Sequence, residues 1–245
     1  AILTATKNFN VKSWFIPHGL SQKSSFVKNF DYISPLTLDP NWLKFNAKPI
    51  LLPWAEAYEL SKSNTIKKKI SKIEKINILF LSQLEGSFIH NLESLLNDSI
   101  RFIQLLLFNN KVNKITIRFR NEKEKNIFQH LFIDNEKIEY EISTEKPILE
   151  TIKYHNSLAS CRSTGLLYGQ VFNIPTIQIS TSPTESIWDY KLASNKNVLK
   201  LLYNRNDVEN VNKIIDNIIK NPFNTKVFYL QNINIEKICQ LLKLE

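Results

Sequence analysis

Four places in the chain carry residue types suited to holding an anion or moving a proton. The first is Arg162-Ser163-Thr164-Gly165. Hydroxyls and free backbone N–H groups at the opening of a helix meet phosphate oxygens directly, and a neighbouring guanidinium adds charge. The plainer alternative is that Ser163 only caps the helix. The second is Ser82-Gln83-Leu84-Glu85-Gly86-Ser87. Ser82, Gln83, Gly86 and Ser87 suit phosphate or acceptor contact, and Glu85 is a candidate base or else an exposed loop carboxylate. The third is Arg120, beside Asn121. It can neutralise a phosphate bidentately or sit on the surface near Glu122 and Glu124. The fourth is His18, between Pro17 and Gly19. An imidazole with an ordinary pKa near 6.5 suits proton transfer at neutral pH, and a hydrogen-bonded histidine at a strand end is the alternative. His90, His130 and His155 have no metal-ligand spacing and read as surface or core residues. Among the tryptophans, Trp188 is best placed to line a pocket, while Trp14, Trp42 and Trp54 read as packing.

These residues need a scaffold, and the chain is patterned for one. Ile76–Leu81 is a continuous apolar run, as in a strand buried on both faces. Helical spacing follows over Phe88–Phe108, then a strand at Lys114–Phe119, a helix at Asn121–Phe132 and a strand at Lys137–Tyr140. Pro147–Tyr154 starts with a proline suited to a first helical turn. A short strand at Ser157–Cys161, a helix at Ser163–Phe172, a strand at Pro175–Ile179 and an amphipathic helix at Asp207–Lys220 complete the regular part. Lys226–Leu230 and Ile235–Leu244 read as a last strand and helix, and Val11–Ile16 as a separate strand ending at Pro17. Strands alternating with helices predict an α/β fold with a doubly wound parallel sheet, its ligand at the carboxyl ends of the strands. The loops Ser82–Ser87, Arg120–Asn121 and Arg162–Gly165 all fall there. Two of the four glycines, Gly86 and Gly165, lie in them.

Composition narrows the partners. The 245 residues carry a net charge of +9, which favours anionic ligands. Lys62, Lys67, Lys68, Lys69, Lys72 and Lys75 crowd into residues 61–75, a solvated linker or a patch for anionic lipid. No zinc-finger spacing, aromatic RNP pattern or helix-turn-helix glycine points to nucleic acid. No apolar run reaches the roughly 18 residues of a membrane span. Cys161 and Cys239 cannot form a disulfide framework or a zinc cluster. With no leader pattern, the expected location is the cytoplasm, with a peripheral membrane contact through the lysines as its extension. The absence of methionine, even at position 1, points to a trimmed or incomplete chain.

In order and spacing, Ile16-Pro17-His18-Gly19-Leu20, Ile117-Arg118-Phe119-Arg120-Asn121, Ser163-Thr164-Gly165-Leu166 and Asn173-Ile174-Pro175 resemble the C-terminal half of GT-B glycosyltransferases. The likeness is strongest to bacterial enzymes of capsule, lipopolysaccharide and other surface carbohydrates, and to polyol-phosphate polymerases; it spans roughly residues 11 to 220. The resemblance implies a Rossmann-like sheet of GT-B type over residues 76–245 that binds a nucleotide sugar. It also implies a reduced or partial acceptor-side domain over residues 1–60, with a basic linker at 61–75. It implies metal-independent transfer of a sugar to a glycan or glycolipid without a resident cofactor. Donor phosphate would meet Arg120, Arg162, Ser163, Thr164 and Gly165. In the surface-polymer relatives the His-Gly pair lies in the interdomain cleft.

The chain departs from the family pattern in several places. Arg120 stands where a His followed by Pro is common. Tyr168 stands where a Glu contacts ribose, and Asn173 where a Gly follows. These changes leave room for a different donor, such as a cytidine monophosphate sugar. The paired-Glu signature of many retaining members is missing, which leans toward inversion. A CDP-polyol transferase and a non-catalytic, degenerate binding partner are the competing readings.

Overall fold

The computed structural model describes residues 73–82, 84, 92–132, 135–161, 163–166, 168–169, 172, 174–180 and 198–222. The chain divides into two compact units, Ala1–Asn64 with Val227–Glu245, and Thr65–Lys226. All described residues belong to the second. His18, Gln83, Glu85, Gly86, Ser87, His90, Arg162, the four tryptophans, most of the lysine stretch and the elements expected at 11–16, 226–230 and 235–244 lie outside the described residues.

The apolar run Ile76–Leu81 forms the central strand β1. Helix α1 follows at Leu92–Phe108, then β2 at Val112–Phe119, α2 at Glu122–Gln129 and β3 at Ile138–Ile142. The short helix α3, Ile148–Ile152, leads to β4 at Ser157–Ser160. Strands β5, Thr176–Ser180, and β6, Val198–Lys200, precede helix α4 at Asn206–Lys220. The six strands form one sheet in the order β3-β2-β1-β4-β5-β6, and every pair is parallel. This is the doubly wound arrangement the alternating pattern predicts.

Alternation along the strands sorts two layers. Ile76, Ile78 and Phe80 of β1 join Ile115, Ile117 and Phe119 of β2 in one cluster with Phe102, Ile103 and Leu106 of α1 and Val211, Ile215 and Ile218 of α4. Phe80 and Phe102 pack with ring centroids 6.1 Å apart, and Phe119 and Phe128 at 5.3 Å. Each such buried aromatic contributes roughly 1.5–3 kcal/mol of transfer free energy. The intervening residues Leu79, Leu81, Thr116, Arg118 and Leu158 are buried outside that cluster. Leu81 and Leu158 lie against Gly165 and Gly169 of the segment after β4. Among the described residues no helix is long and apolar enough to cross a membrane.

Several boundaries differ from the sequence reading. The helix expected over Ser163–Phe172 opens instead as a 3-10 turn, Thr164–Leu166, with helical backbone at Tyr168 and Gly169. The helix expected to reach Phe132 stops at Gln129. Strand β2 starts two residues earlier than expected, at Val112, and β3 runs on to Ile142. Strand β6 has no counterpart among the expected elements: among the described residues its three residues pair only with β5, and so short a run has no measurable period.

Candidate functional site

The strand order reverses between β1 and β4. Because all strands are parallel, the segments after β1, β2 and β4 open on one edge at this switch point, where ligands of doubly wound folds bind. Two buried side chains join them. Ser160, at the end of β4, donates its hydroxyl to the Leu81 carbonyl at 2.7 Å and accepts the Ser163 N–H at 2.9 Å. Glu124 accepts the Leu84 N–H at 2.8 Å and the Arg120 N–H at 3.3 Å. The Glu124 N–H in turn donates to Asn121 Oδ1 at 3.0 Å, the N-cap bond of α2. Glu124 is only 3% exposed.

Ser82 is the first residue past β1. Its N–H donates to the Arg118 carbonyl at 2.9 Å, while its hydroxyl is buried and makes no hydrogen bond among the described residues. A buried hydroxyl without a partner costs about 1–3 kcal/mol, so it marks a place where a partner is expected. Ser163 Oγ accepts the Gly165 N–H at 3.1 Å. Its acceptor side therefore caps the turn, which is the plainer of its two readings. Gly165 lies close against β1: a Cβ there would lie 2.7 Å from the end of the Leu81 side chain. Arg120 is exposed at the end of β2.

Arg118 takes a different role from Arg120. Its guanidinium pairs with Glu141 and donates to the carbonyls of Ser143 at 3.3 Å and Lys146 at 2.6 Å. Glu141 also accepts the Thr151 hydroxyl at 2.7 Å. Burial lowers the Arg118 pKa from its ordinary value, with Tyr168 acting the other way; an arginine stays charged regardless. Arg118 thus fixes β3 and the 143–146 turn. His155 is buried nearby, with Nδ1 at 2.8 Å from the Thr151 carbonyl and Nε2 at 2.8 Å from Thr116 Oγ1. A carbonyl only accepts, so Nδ1 carries a proton, and in the neutral ring Nε2 accepts from Thr116. This is a core histidine. Tyr168 is buried and stacks on Phe172, with centroids 6.3 Å apart.

The segment after β6 is held by a second acidic group. The Tyr203 hydroxyl donates to Asp98 of α1, and Asp207 Oδ1 accepts the Leu202 N–H at 2.7 Å. Asp207 Oδ2 lies 3.5 Å from Arg101 Nε. Tyr203 has φ 56°, a left-handed conformation unusual for a side chain of its size. Burial raises the Asp98 pKa above its ordinary 3.8; the Tyr203 bond opposes this and Asp207 adds to it. A raised folded-state pKa means that this group's contribution to stability is fully present below about pH 4 and is lost as pH rises through the folded value, by about 1.4 kcal/mol per unit of separation. Asp98→Asn should flatten this limb. Thermal midpoints measured between about pH 4 and 7 would then converge for parent and variant at the acid end, and parallel profiles would refute the assignment.

Among the described residues no group of three His, Cys, Asp or Glu is placed to hold a metal ion. Glu124 and Ser160 escaped the sequence reading. Asn121-x-x-Glu124 has capping-box spacing, which signals the helix start but not the bond to Leu84. Ser160 lies inside a strand and gives no signal at all.

Fold and edge together define a doubly wound α/β domain whose carboxyl-end segments meet at the β1/β4 switch point. No protein-family model matches the chain, and no curated protein does. Solved structures do match. The chain is similar to S. aureus MnaA, solved with UDP, at TM-score 0.58 and 14% identity over 99% of this chain and 71% of that one. It is similar to the UDP-GlcNAc 2-epimerase of Methanocaldococcus jannaschii at TM-score 0.56 and 15% identity, covering 99% and 73%. It is also similar to TarM at TM-score 0.53 and 14% identity, covering 95% of this chain and 50% of that one. The chain therefore shares the Rossmann-like α/β fold of these structures, the fold that the motif order implies.

Proposed function

We propose that the chain acts on a nucleotide sugar, as a glycosyltransferase that moves the sugar to a bacterial surface glycan. The observation that carries this reading is the buried, unpartnered Ser82 hydroxyl at the end of the central strand, beside the switch point. A diphosphate oxygen is a fitting acceptor for it. Arg120, Ser163 and Thr164 are then its neighbours on the same edge, and Arg162, Gln83, Gly86 and Ser87 belong to the same loops. Charge developing on the leaving phosphate would be stabilised by these donors, the largest expected catalytic contribution. In this reading residues 1–60 supply the acceptor side, with His18 or Glu85 taking the acceptor proton, and no metal or cofactor is required. Contact of the 61–75 lysines with an anionic membrane is part of the same proposal.

A second reading follows from the comparisons. A UDP-GlcNAc 2-epimerase is among the structures of this fold, and an activity on the UDP-sugar itself, without an acceptor, would use the same edge. A CDP-polyol transferase and a non-catalytic binder complete the alternatives.

Thermal unfolding against UDP, GDP, ADP, CDP and CMP tests the reading. A ligand at 100 times its Kd adds about 2.7 kcal/mol. One nucleotide should raise the midpoint; none doing so, in a cooperatively unfolding chain, would refute a nucleotide-sugar function. Product analysis with the matching sugar nucleotide then separates transfer from epimerisation. Ser82→Ala should keep or slightly raise stability while weakening nucleotide binding about 10- to 100-fold, the loss of one hydrogen bond to a charged group. Unchanged affinity would remove Ser82 from the site.

A further inference from the structure

We propose that Glu124 is the positioning residue of this edge: its carboxylate clasps the segment after β1 to the end of β2 and so presets the surface that receives a nucleoside diphosphate. The inference rests on the nucleotide-sugar reading above.

The geometry is specific. One carboxylate serves two segments far apart in sequence, with Oε1 accepting the Leu84 N–H at 2.8 Å and Oε2 the Arg120 N–H at 3.3 Å. The Leu84 amide is two residues from the candidate contact Ser82, and the other amide belongs to the candidate contact Arg120 itself. Leu84 is itself buried and joins the same apolar cluster as Phe80 and Phe128. The carboxylate is held from below, because the Glu124 N–H is fixed by the Asn121 side chain at 3.0 Å and α2 is anchored by fully buried Phe128. The opening of α2 also favours a negative charge at this position.

A carboxylate is the right group for this task. Both of its oxygens accept, whereas an amide offers one acceptor and two donors. Glu124→Gln therefore keeps one backbone bond and sets an N–H against the other. The loop would be released at one end while the fold stays in place. A ligand that must then order the loop on binding loses affinity for that reason alone.

Two measurements test the clasp. In the parent protein, hydrogen exchange at the Leu84 and Arg120 amides should be slow without ligand and change little when UDP is added. Exchange at free-loop rates in the unliganded protein would overturn the proposal, and this arm needs no variant. In Glu124→Gln, the same two amides should exchange faster, and UDP affinity measured by titration calorimetry should fall about tenfold. Glu124→Asp, which keeps two acceptors on a shorter arm, should recover part of that loss. A folded Glu124→Gln that binds UDP as the parent does would also overturn the clasp. Failure of the parent to bind any nucleotide is a separate outcome, since it refutes the nucleotide-sugar reading; the exchange rates of the unliganded protein still decide whether Glu124 holds the two segments.

Discussion

Replacing Arg118 by Ala should lower the unfolding free energy by about 3–5 kcal/mol, the usual consequence of removing one partner of a buried ion pair. The side chains of Arg118 and Glu141 are 8% and 12% exposed, so water cannot take over for the missing guanidinium. Its loss strands the Glu141 carboxylate and leaves the Ser143 and Lys146 carbonyls without their donor. Only Thr151 and the more distant Lys146 amine, 3.9 Å away, would still face Glu141. Urea unfolding should show a lower midpoint with an unchanged slope. The partner variant separates charge from packing: Arg118→Met with Glu141→Leu should recover much of the loss, because an apolar pair replaces two buried charges at little net cost. A single variant less than about 1 kcal/mol below the parent would show that the pair is solvated in solution.

Gly169→Ala should be the second large effect, about 3 kcal/mol, the upper part of the range for overpacking. A Cβ there would lie 2.2 Å from Thr176 Cγ2 and 2.9 Å from the Ile174 carbonyl. Thr176 is a β-branched residue in β5 with a stiff side chain, and the carbonyl belongs to the backbone, so neither can step aside cheaply. The Ile174 N–H also donates to the Gly169 carbonyl at 2.7 Å, so the two segments are tied at the same point. Gly165→Ala provides the comparison. Its nearest obstacle is the end of the Leu81 side chain at 2.7 Å, which can rotate. It should cost clearly less. Thermal melts of the two variants side by side check the order, and equal midpoints would mean that the turn after β4 adjusts as a whole.

The contrast between these glycines bears on what a sequence can say. Gly165 lies in a carboxyl-end loop, where a ligand is expected, and the space around it shows close contact between the turn and β1. Gly169 lies outside those loops, yet it sits in the tighter place. A glycine advertises that a side chain is unwelcome there and does not say whether a ligand or a neighbouring strand is the reason.

The two arginines teach the same lesson on strand β2. Alternation assigns Arg118 and Phe119 to opposite faces, and the buried cluster holds Phe119 as expected. That Arg118 is committed to an ion pair was decided by Glu141, 23 residues away and brought alongside by β2–β3 pairing. Glu124 likewise reads as a surface acid in a charged helical segment. It is buried because its carboxylate takes two backbone donors that only the folded sheet brings within reach.

What the sequence determined by itself is the layered α/β domain and the edge on which its carboxyl-end loops gather. Periodicity is local: an apolar run buried on both faces, followed by helical spacing, encodes a strand and a covering helix within a window of some 30 residues. Repetition of that unit dictates a parallel sheet, and a parallel sheet dictates that its carboxyl-end loops gather on one side. The tertiary structure alone decided which polar side chains on that edge are occupied and which are open. Arg118 is consumed by Glu141, Ser163 caps its own turn, and the Ser82 hydroxyl is left buried without a partner. Those outcomes depend on hydrogen-bond partners far apart in the chain, which no local pattern records.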